Sequence, residues 1–306
     1  MSASDDPTRT RAFLYDLTVA PVWCERFHQL LVETIALPES GRILLVECGT
    51  GGLAIELAHR LRDTGTVTAS DSDPARLQIV RDKCQVAKLD NLRILDRQQL
   101  KNDPVTDGYD LIVGDASLLP TDALHPMLTL LRERVGEGGQ VALYTILRGS
   151  FDEFFSILWE ALYECDIAED LVVPLEALLR TYPTAADIRD QATHLGLHNV
   201  TVTSNKEMFS FDSGQAFLES PLIAGYWLDR WLSIVPPDYL DAVKTSIRDI
   251  IDRDRGSYPF EVSIKAALLT ARAEPLDIAD QPEDSEDEDS EAFEDFESLE
   301  LPEDNT

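Results

Sequence analysis

A glycine-rich turn between an apolar strand pattern and a helical pattern places the strongest constraint on the fold of this chain. The segment Val46-Glu47-Cys48-Gly49-Thr50-Gly51-Gly52 ends the apolar run 42–47. The apolar residues that follow it have the spacing of one helical face, and they are Leu53, Ile55, Leu57, Ala58 and Leu61. A strand, a glycine turn and a helix in this order are typical of α/β sheets that bind ligands with ribose and adenine parts.

An acidic residue stands where such a ligand needs one. Asp71 ends the next apolar run, 20 residues after Gly51, and a carboxylate at this place accepts hydrogen bonds from ribose hydroxyls. Glycines allow φ > 0 and a close backbone approach, while the helix N-terminus offers free N–H groups. Gly49-x-Gly51-x-x-Ala54 also fits a loosened dinucleotide fingerprint. These residues alone therefore indicate either a dinucleotide or S-adenosylmethionine.

The rest of the chain favours a Rossmann-like α/β fold, a doubly wound sheet of about seven strands with the last strand antiparallel. Apolar runs rich in β-formers alternate with helical patterns over the first half. The predicted strands are 42–47, 67–71, 92–95, 109–114, 140–146, 199–204 and 260–271. Asp73-Pro74 is a helix start signal, and the glycines of 136–139 predict a tight turn before the fifth strand.

Helical additions are predicted around this sheet. The expected helices are 12–36, 151–165, 174–179, 184–195 and 213–255. We therefore predict an N-terminal helical cap over 1–40, a main domain over 41–274 with a helical insertion near 205–258, and a tail over 275–306.

The charge is strongly acidic. The chain has 26 Lys and Arg against 57 Asp and Glu, for a net charge of -31, which disfavours binding to nucleic acid and to anionic membranes. Residues 275–306 contain 15 acidic side chains and no Lys or Arg, so a disordered acidic tail is predicted. Its apolar residues, among them Phe293 and Phe296, form either a docking motif for a basic protein partner or part of a solvating segment.

Cysteine and histidine patterns argue against metal or disulfide chemistry. The four cysteines contain no Cys-x-x-Cys pair. His194 and His198 are four apart, but Gly196 between them breaks a helix, so no metal site is predicted. The chain opens without a basic or apolar leader and has no apolar run of about 18 residues, which predicts a cytoplasmic protein.

In several ordered blocks the sequence resembles class I S-adenosylmethionine-dependent methyltransferases, of the small-molecule, type 11/12-like branch. The fourth block, for example, is Tyr109-Asp110-Leu111-Ile112-Val113-Gly114-Asp115. The blocks in order are 42–54, 67–77, 92–100, 109–115 and 131–143, with further similarity at 184–204 and 260–271. The resemblance implies the fold predicted above, S-adenosyl-L-methionine as cofactor and a small-molecule methyl acceptor.

The resemblance also implies the cofactor-binding residues. Asp71 would bind the ribose, Asp96 would lie near the adenine amino group, and Arg97 would lie beside the adenine ring. The full set at matching positions is Glu47, Cys48, Gly49, Thr50, Gly51, Asp71, Ser72, Asp96, Arg97 and Asp115.

The first turn departs from the family pattern at two positions. Aligned without gaps, the family's acidic residue falls on Leu45 and its first glycine falls on Glu47. In one reading the Glu47 carboxylate replaces the missing acid and reaches the cofactor's ammonium group. In the other, Glu47 brings a Cβ and a charge into space that the cofactor needs, and the protein binds it weakly or not at all.

The sequence indicates the methyl acceptor and the catalytic residues less directly than it indicates the cofactor. Methyl transfer needs alignment more than a base, and the candidate bases are His28, His125, Tyr15 and Asp115. The family places lids over the acceptor, and here those segments are rich in aromatic residues, which favours a mostly apolar small molecule. The lid aromatics are Tyr15, Trp23, Phe27, Phe211, Phe217, Tyr226, Trp227 and Trp231; packing on the core is an equal explanation.

Two other function classes remain open at this point. One is a catalytically silent methyltransferase-like protein whose acidic tail recruits a basic partner. The other is a nicotinamide-dependent oxidoreductase, which is disfavoured because no substantial catalytic domain follows the first five strands.

Overall fold

Seven strands form one mixed sheet within the part of the chain that the computed structural model describes, which is residues 6–104, 107–254, 256 and 258–274. The strand order is β3-β2-β1-β4-β5-β7-β6. Strands β1 to β5 pair in parallel, and β7 is antiparallel to both β5 and β6. The strands are β1 (Gly41–Val46), β2 (Gly65–Asp71), β3 (Leu92–Asp96), β4 (Tyr109–Asp115), β5 (Val135–Ile146), β6 (Leu197–Phe211) and β7 (Phe260–Ala273). The predicted fold class, including the antiparallel last strand, is confirmed.

Helices cover both faces of the sheet. Those of the first half are α1 (Pro7–Leu14), α2 (Glu25–Thr34), α3 (Gly52–Leu61), α4 (Pro74–Ala87), α5 (Arg97–Asn102) and α6 (Leu124–Arg134). Those of the second half are α7 (Asp152–Glu164), α8 (Ala168–Thr181), α9 (Ala185–His194), α10 (Gly214–Glu219), α11 (Pro221–Tyr226), α12 (Leu228–Trp231) and α13 (Leu240–Asp254). Short 3-10 turns lie at Thr121–Ala123, Leu232–Ile234 and Pro237–Tyr239.

Local sequence signals account for the central elements. Strand β1 is apolar and its last four residues are buried, as expected of a strand covered on both faces. Helix α4 begins at Pro74, and the Asp73 carboxylate accepts a hydrogen bond from the Ala75 N–H at 2.8 Å. The predicted start signal is therefore confirmed. Together these elements bring the carboxyl ends of β1, β2 and β4 to one edge of the sheet.

The glycine segment 136–139 differs from the prediction of a tight turn. These residues lie within β5, where the pairing with β4 shifts register between Tyr109 and Leu111. Gly138 has φ +65°, and a Cβ on Gly136 would lie 2.6 Å from the Asp107 carbonyl oxygen. The glycines thus form a bulge inside a strand, which local composition does not distinguish from a turn.

The second half departs further from the predicted boundaries. Strand β6 extends far beyond 199–204 because β7 supplies thirteen residues of pairing partners along its length. The predicted helix 213–255 is broken into α10, α11, α12, two 3-10 turns and α13. Helix α8 begins six residues before Pro174, which lies inside it. Prolines and tertiary contacts rather than helical periodicity set these ends.

The segment before β1 is helical, as predicted, but its middle is wound differently. Tyr15–Cys24 forms a π-helical segment that joins α1 to α2 and contains Pro21. π-Helical turns are rare and concentrate at functional sites. The predicted acidic tail, 275–306, lies outside the described residues, and none of the described helices is long and apolar enough to cross a bilayer.

Candidate active site

The turn after β1 has left-handed backbone at three positions. φ is +57° at Glu47, +59° at Gly49 and +84° at Gly51. Glycine adopts this conformation freely, whereas it costs an L side chain about 1–2 kcal/mol. A Cβ on Gly49 would lie 2.5 Å from the Tyr15 hydroxyl oxygen, so close approach also requires glycine there. Glu47 therefore occupies a backbone conformation that favours glycine, in keeping with the gapless alignment.

The Glu47 side chain points to the end of β2. Its Oε2 accepts a hydrogen bond from the Ser72 hydroxyl at 2.8 Å and one from the Ser72 N–H at 3.4 Å. Leu45, where the family has its acid, is buried. The carboxylate of Glu47 is therefore held beside the position predicted for the ribose.

Asp71 is buried at the carboxyl end of β2, with its side chain 0% exposed. One carboxylate oxygen accepts from the Gly49 N–H and the other from the Asp73 N–H, each at 2.8 Å. Burial, and after it the Glu47 carboxylate, raise the pKa of Asp71 from 3.8 to about 7, against the opposing effects of Arg76 and the two backbone hydrogen bonds. Asp71 and the glycine turn are thus joined by a hydrogen bond.

An arginine, which the sequence analysis did not single out, covers Asp71. Arg76 Nη1 lies 3.8 Å from Asp71 Oδ1, and Nη2 donates to the Tyr226 hydroxyl at 2.6 Å. The guanidinium carbon lies 4.1 Å from the centre of the Tyr15 ring, a cation–π contact. We call Arg76, Tyr15 and Tyr226 the arginine cap. The only sequence cue is the position of Arg76 in the first turn of α4, because Tyr226 is 150 residues away.

A cavity of about 290 Å³ opens beside the glycine turn. It is lined by residues from the ends of β1, β4 and β5, from α2 and α3, and from the π-helical segment. Its apolar lining includes Ala20, Pro21, Leu45, Leu53 and Val113, and its polar lining includes Asp16, Glu25, His28, Glu47, Glu56, Lys83, Asp115 and Tyr144. A ligand in this cavity would touch the glycine turn and the N-terminal helices together.

Polar contacts tie the π-helical segment to the turn. The Thr50 hydroxyl donates to Asp16 Oδ1 at 2.5 Å, and Lys83 Nζ lies 2.5 Å from the same oxygen. Lys83 also donates to the Thr50 carbonyl oxygen at 3.2 Å. The π-helical segment, which forms the roof of the cavity, is therefore anchored to the glycine turn at its floor.

Asp115 ends β4 and faces the cavity. Its Oδ1 accepts from the Ser117 N–H at 2.8 Å. Burial raises the pKa of Asp115 from 3.8 to about 6, against the effect of its hydrogen bonds with Ser117. The carboxylate thus resists ionisation more than an exposed aspartate does.

This raised pKa predicts a pH-dependent stability. The native state binds the Asp115 proton more tightly than the unfolded chain, so stability falls as the pH rises from about 4 to about 6. Over this range we expect wild type to lose about 2 kcal/mol more than Asp115→Asn. Chemical denaturation at several pH values measures the difference, with Asp63→Asn on the exposed surface as a control. Parallel pH profiles for wild type and Asp115→Asn would contradict the assignment.

Comparison with known proteins finds a similar domain around this arrangement. A family model described as a methyltransferase domain matches residues 43–139. The match contains the glycine turn, Asp71 and Asp115, whereas Tyr15, Tyr144 and Tyr226 lie outside it. Over residues 43–139, about a third of its length, the chain is similar to the methyltransferase domain.

Individual relatives are distant. The biotin biosynthesis bifunctional protein BioCD of Bordetella avium is 32% identical over 188 residues, which are 61% of this chain and 36% of that protein. A probable cobalt-precorrin-6B C(15)-methyltransferase (decarboxylating) of Sulfolobus acidocaldarius is 24% identical over 152 residues, 50% of this chain and 78% of that protein. The structure of phosphoethanolamine N-methyltransferase 2 of Haemonchus contortus aligns with a TM-score of 0.51 at 12% identity, covering 87% of this chain and 57% of that one. The match thus spans little more than a third of the first relative.

The residues predicted to bind the cofactor fall into two groups in the structure. Glu47, Cys48, Thr50 and Asp115 line the cavity. The others lie along the ends of β2 and β3 and in the turn, and they are Gly49, Gly51, Asp71, Ser72, Asp96 and Arg97.

Asp96 and Arg97 stand apart from the cavity. Asp96 is the register partner of Asp71 between β3 and β2. Its carboxylate caps α5 by accepting from the Gln99 N–H at 2.7 Å, and Arg97 is exposed. Their contacts with the adenine stay a prediction.

The four candidate bases are distributed unequally. His28, Tyr15 and Asp115 line the cavity, whereas His125 lies on a different surface beside α9. Burial lowers the pKa of His28 to about 4, so this imidazole is neutral at pH 7. The Tyr15 hydroxyl lies 3.1 Å from Cys24 Sγ, and burial raises the pKa of Tyr15.

Most of the lid aromatics pack against one another. Trp23 stacks on Phe209 with ring centres 5.3 Å apart, and Phe154 stacks on Trp231 at 4.2 Å. Of the lid aromatics named from the sequence, Tyr15 alone is among the cavity-lining residues of the described chain. The aromatic enrichment thus builds the core under the lid.

His194 and His198 have separate partners. His194 Nδ1 lies 2.6 Å from the Asp190 carbonyl oxygen, and His198 Nε2 lies 3.2 Å from the Glu274 carboxylate. The first is at the end of α9 and the second is in β6. Helical spacing does not bring the two imidazoles to a common ligand.

Proposed function

We propose that the chain is an S-adenosylmethionine-dependent methyltransferase that acts on a small, mostly apolar molecule. The observation that carries the proposal is the buried Asp71 carboxylate bonded to the Gly49 N–H, in a domain that matches methyltransferases. A carboxylate at the end of β2 beside a glycine turn is suited to ribose hydroxyls. The apolar part of the cavity lining supports a mostly apolar acceptor.

Two sets of residues fit two parts of the cofactor, the ribose and the methionine end. Asp71 uses one hydrogen bond on each oxygen for the backbone, and a carboxylate has about four acceptor sites. Sites therefore remain for ribose hydroxyls, although Arg76 competes for one of them. Cys48 and Thr50, with Asp115 opposite, would surround the methionine end.

The chemistry divides between cofactor and protein. S-adenosylmethionine, when bound, supplies an activated methyl group. The protein would align the acceptor and exclude water, which the roof over the cavity favours. Asp16, held by Thr50 and Lys83, keeps that roof in place.

Calorimetric titration tests the proposal. We expect S-adenosylmethionine and S-adenosylhomocysteine to bind with Kd on the order of 100 µM, about -5.5 kcal/mol. NADH should not bind, because the family match is to methyltransferases. Asp71→Asn should weaken S-adenosylhomocysteine at least about tenfold, whereas Asp63→Asn, on the exposed surface, should not.

The opposite result is equally clear. If folded wild-type protein shows neither heat nor a thermal shift with either ligand at about 1 mM, the enzyme proposal is wrong. That outcome would favour the catalytically silent alternative, in which the tail recruits a basic partner.

A further inference from the structure

The Tyr144 hydroxyl is the unexplained polar group of the cavity. Tyr144 lies at the end of β5, is 1% exposed and lines the cavity. Its hydroxyl is buried and has no hydrogen-bond partner among the described residues. Buried polar groups are almost always bonded, so an orphaned hydroxyl on a residue that lines a cavity indicates a ligand that completes it.

The charge around that hydroxyl is strongly negative. Five carboxylates line the cavity, those of Asp16, Glu25, Glu47, Glu56 and Asp115. Lys83 is the one Lys or Arg among the lining residues, and it is paired with Asp16.

The other four carboxylates have no such partner. Among the described residues, Glu25, Glu47, Glu56 and Asp115 form no ion pair with Lys or Arg within 4.0 Å. Glu25 lies 4.0 Å from the His28 ring, which is neutral at pH 7. The cavity therefore stabilises a positive charge and penalises a negative one.

This charge distinguishes between kinds of methyl acceptor. A phenol, alcohol or carboxylic acid reacts as an anion or while becoming one, and the carboxylates oppose that. An amine reacts as a neutral nucleophile and becomes cationic, and the carboxylates stabilise that product. Resting on the proposed function, we propose that the acceptor is an amine, carried on an apolar skeleton and bound at its nitrogen by Tyr144.

The transfer step balances without another reactant. The amine binds as an ammonium and first loses one proton to water beside the exposed Glu25 and Glu56. The freed nitrogen lone pair then forms the new N–C bond while the methyl C–S bond breaks and its electron pair stays on sulfur. A methylated ammonium and a thioether result, so the positive charge moves from sulfur to nitrogen within the carboxylate-lined cavity. A primary or secondary product then releases one proton to water near Glu25 and Glu56, which are exposed at the mouth of the cavity. The neutral Tyr144 hydroxyl accepts from an amine N–H and so orients the lone pair.

Three probes with one carbon skeleton test the inference: phenethylamine, phenethyl alcohol and phenylacetate. Ligand-observed NMR titrations of the full chain, with and without S-adenosylhomocysteine, measure their affinities. We expect the amine to bind at least about tenfold tighter than the alcohol and phenylacetate to bind most weakly. Radiolabelled methyl transfer from S-adenosylmethionine should follow the same order.

Matched variants locate the effect. Glu56→Gln and Glu25→Gln should each weaken the amine about threefold to tenfold and leave the alcohol unchanged. Glu33→Gln, an exposed change on α2 away from the cavity, is the control. Tyr144→Phe keeps the ring and should weaken the amine about fivefold.

The outcomes separate the two proposals. If S-adenosylhomocysteine binds but the alcohol or phenylacetate binds as well as the amine, the amine inference is wrong and the methyltransferase proposal stands. If S-adenosylhomocysteine does not bind, the methyltransferase proposal fails, and the amine preference is judged on the titrations without it. No amine binding at about 10 mM overturns the inference.

Discussion

Glu47→Gly is expected to bind S-adenosylhomocysteine about tenfold more tightly than wild type, a gain of about 1.4 kcal/mol. The wild-type carboxylate occupies the Ser72 hydroxyl and N–H beside the ribose position. Together with burial, it raises the pKa of Asp71 to about 7, so that Asp71 is only partly ionised at neutral pH. Removing Glu47 frees this space and restores Asp71 as an acceptor. Calorimetry at pH 7 measures the change.

Glu47→Ala separates the carboxylate from the backbone. It should bind about as tightly as Glu47→Gly, since both lack the charge. Its free energy of unfolding should be about 1 kcal/mol lower than that of Glu47→Gly, because its Cβ keeps the strain at φ +57°. Weaker cofactor binding by both variants would instead mean that Glu47 replaces the acid missing at Leu45.

Arg76→Ala is expected to lower the free energy of unfolding by about 3 kcal/mol. Arg76 lies against the fully buried Asp71 carboxylate, which would lose the only cation paired with it among the described residues. The change also removes the hydrogen bond to Tyr226 and the stacking on Tyr15. Urea denaturation monitored by circular dichroism measures the loss.

Two companion variants make this result specific. Arg81→Ala, on the exposed face of the same helix, should change stability by less than about 0.5 kcal/mol. Asp71→Asn combined with Arg76→Ala should cost less than the sum of the single changes, because the two groups interact. A loss in Arg76→Ala no larger than that in Arg81→Ala would show that the arginine cap does not hold the site together.

The arginine cap also bears on cofactor binding. Arg76 lies beside the same Asp71 oxygen that faces the Asp73 N–H, so ribose hydroxyls must share that carboxylate with it. Tyr15 and Tyr226 bring the π-helical segment and α11 to the same point. The π-helical segment, α11 and Asp71 therefore meet at the arginine cap.

Much of the sheet could be predicted from sequence because its rules are local. Strands β1 to β4 were placed within two residues of their ends, since each is a short apolar run bounded by turn residues. The glycine segment of β5 was misassigned because a bulge and a turn use the same residues. The length of β6 was missed because its polar, largely exposed sequence is held by pairing with β7 rather than by burial.

Less of the candidate site could be predicted, for a related reason. The turn, Asp71 and Asp115 carry signals in their own segments. Arg76 has no such signal, because its partners Tyr15 and Tyr226 come from distant parts of the chain. The carboxylates around Tyr144 likewise meet only in three dimensions.

The sequence by itself determined the fold class, the glycine turn and the position of its irregularity at Glu47. These follow from residue spacing and from the backbone freedom of glycine, which act over a few residues. Only the tertiary structure decided where the Glu47 carboxylate points, which cation covers Asp71 and what charge the cavity carries. Those properties depend on contacts between residues far apart in sequence, and spacing along the chain does not specify them.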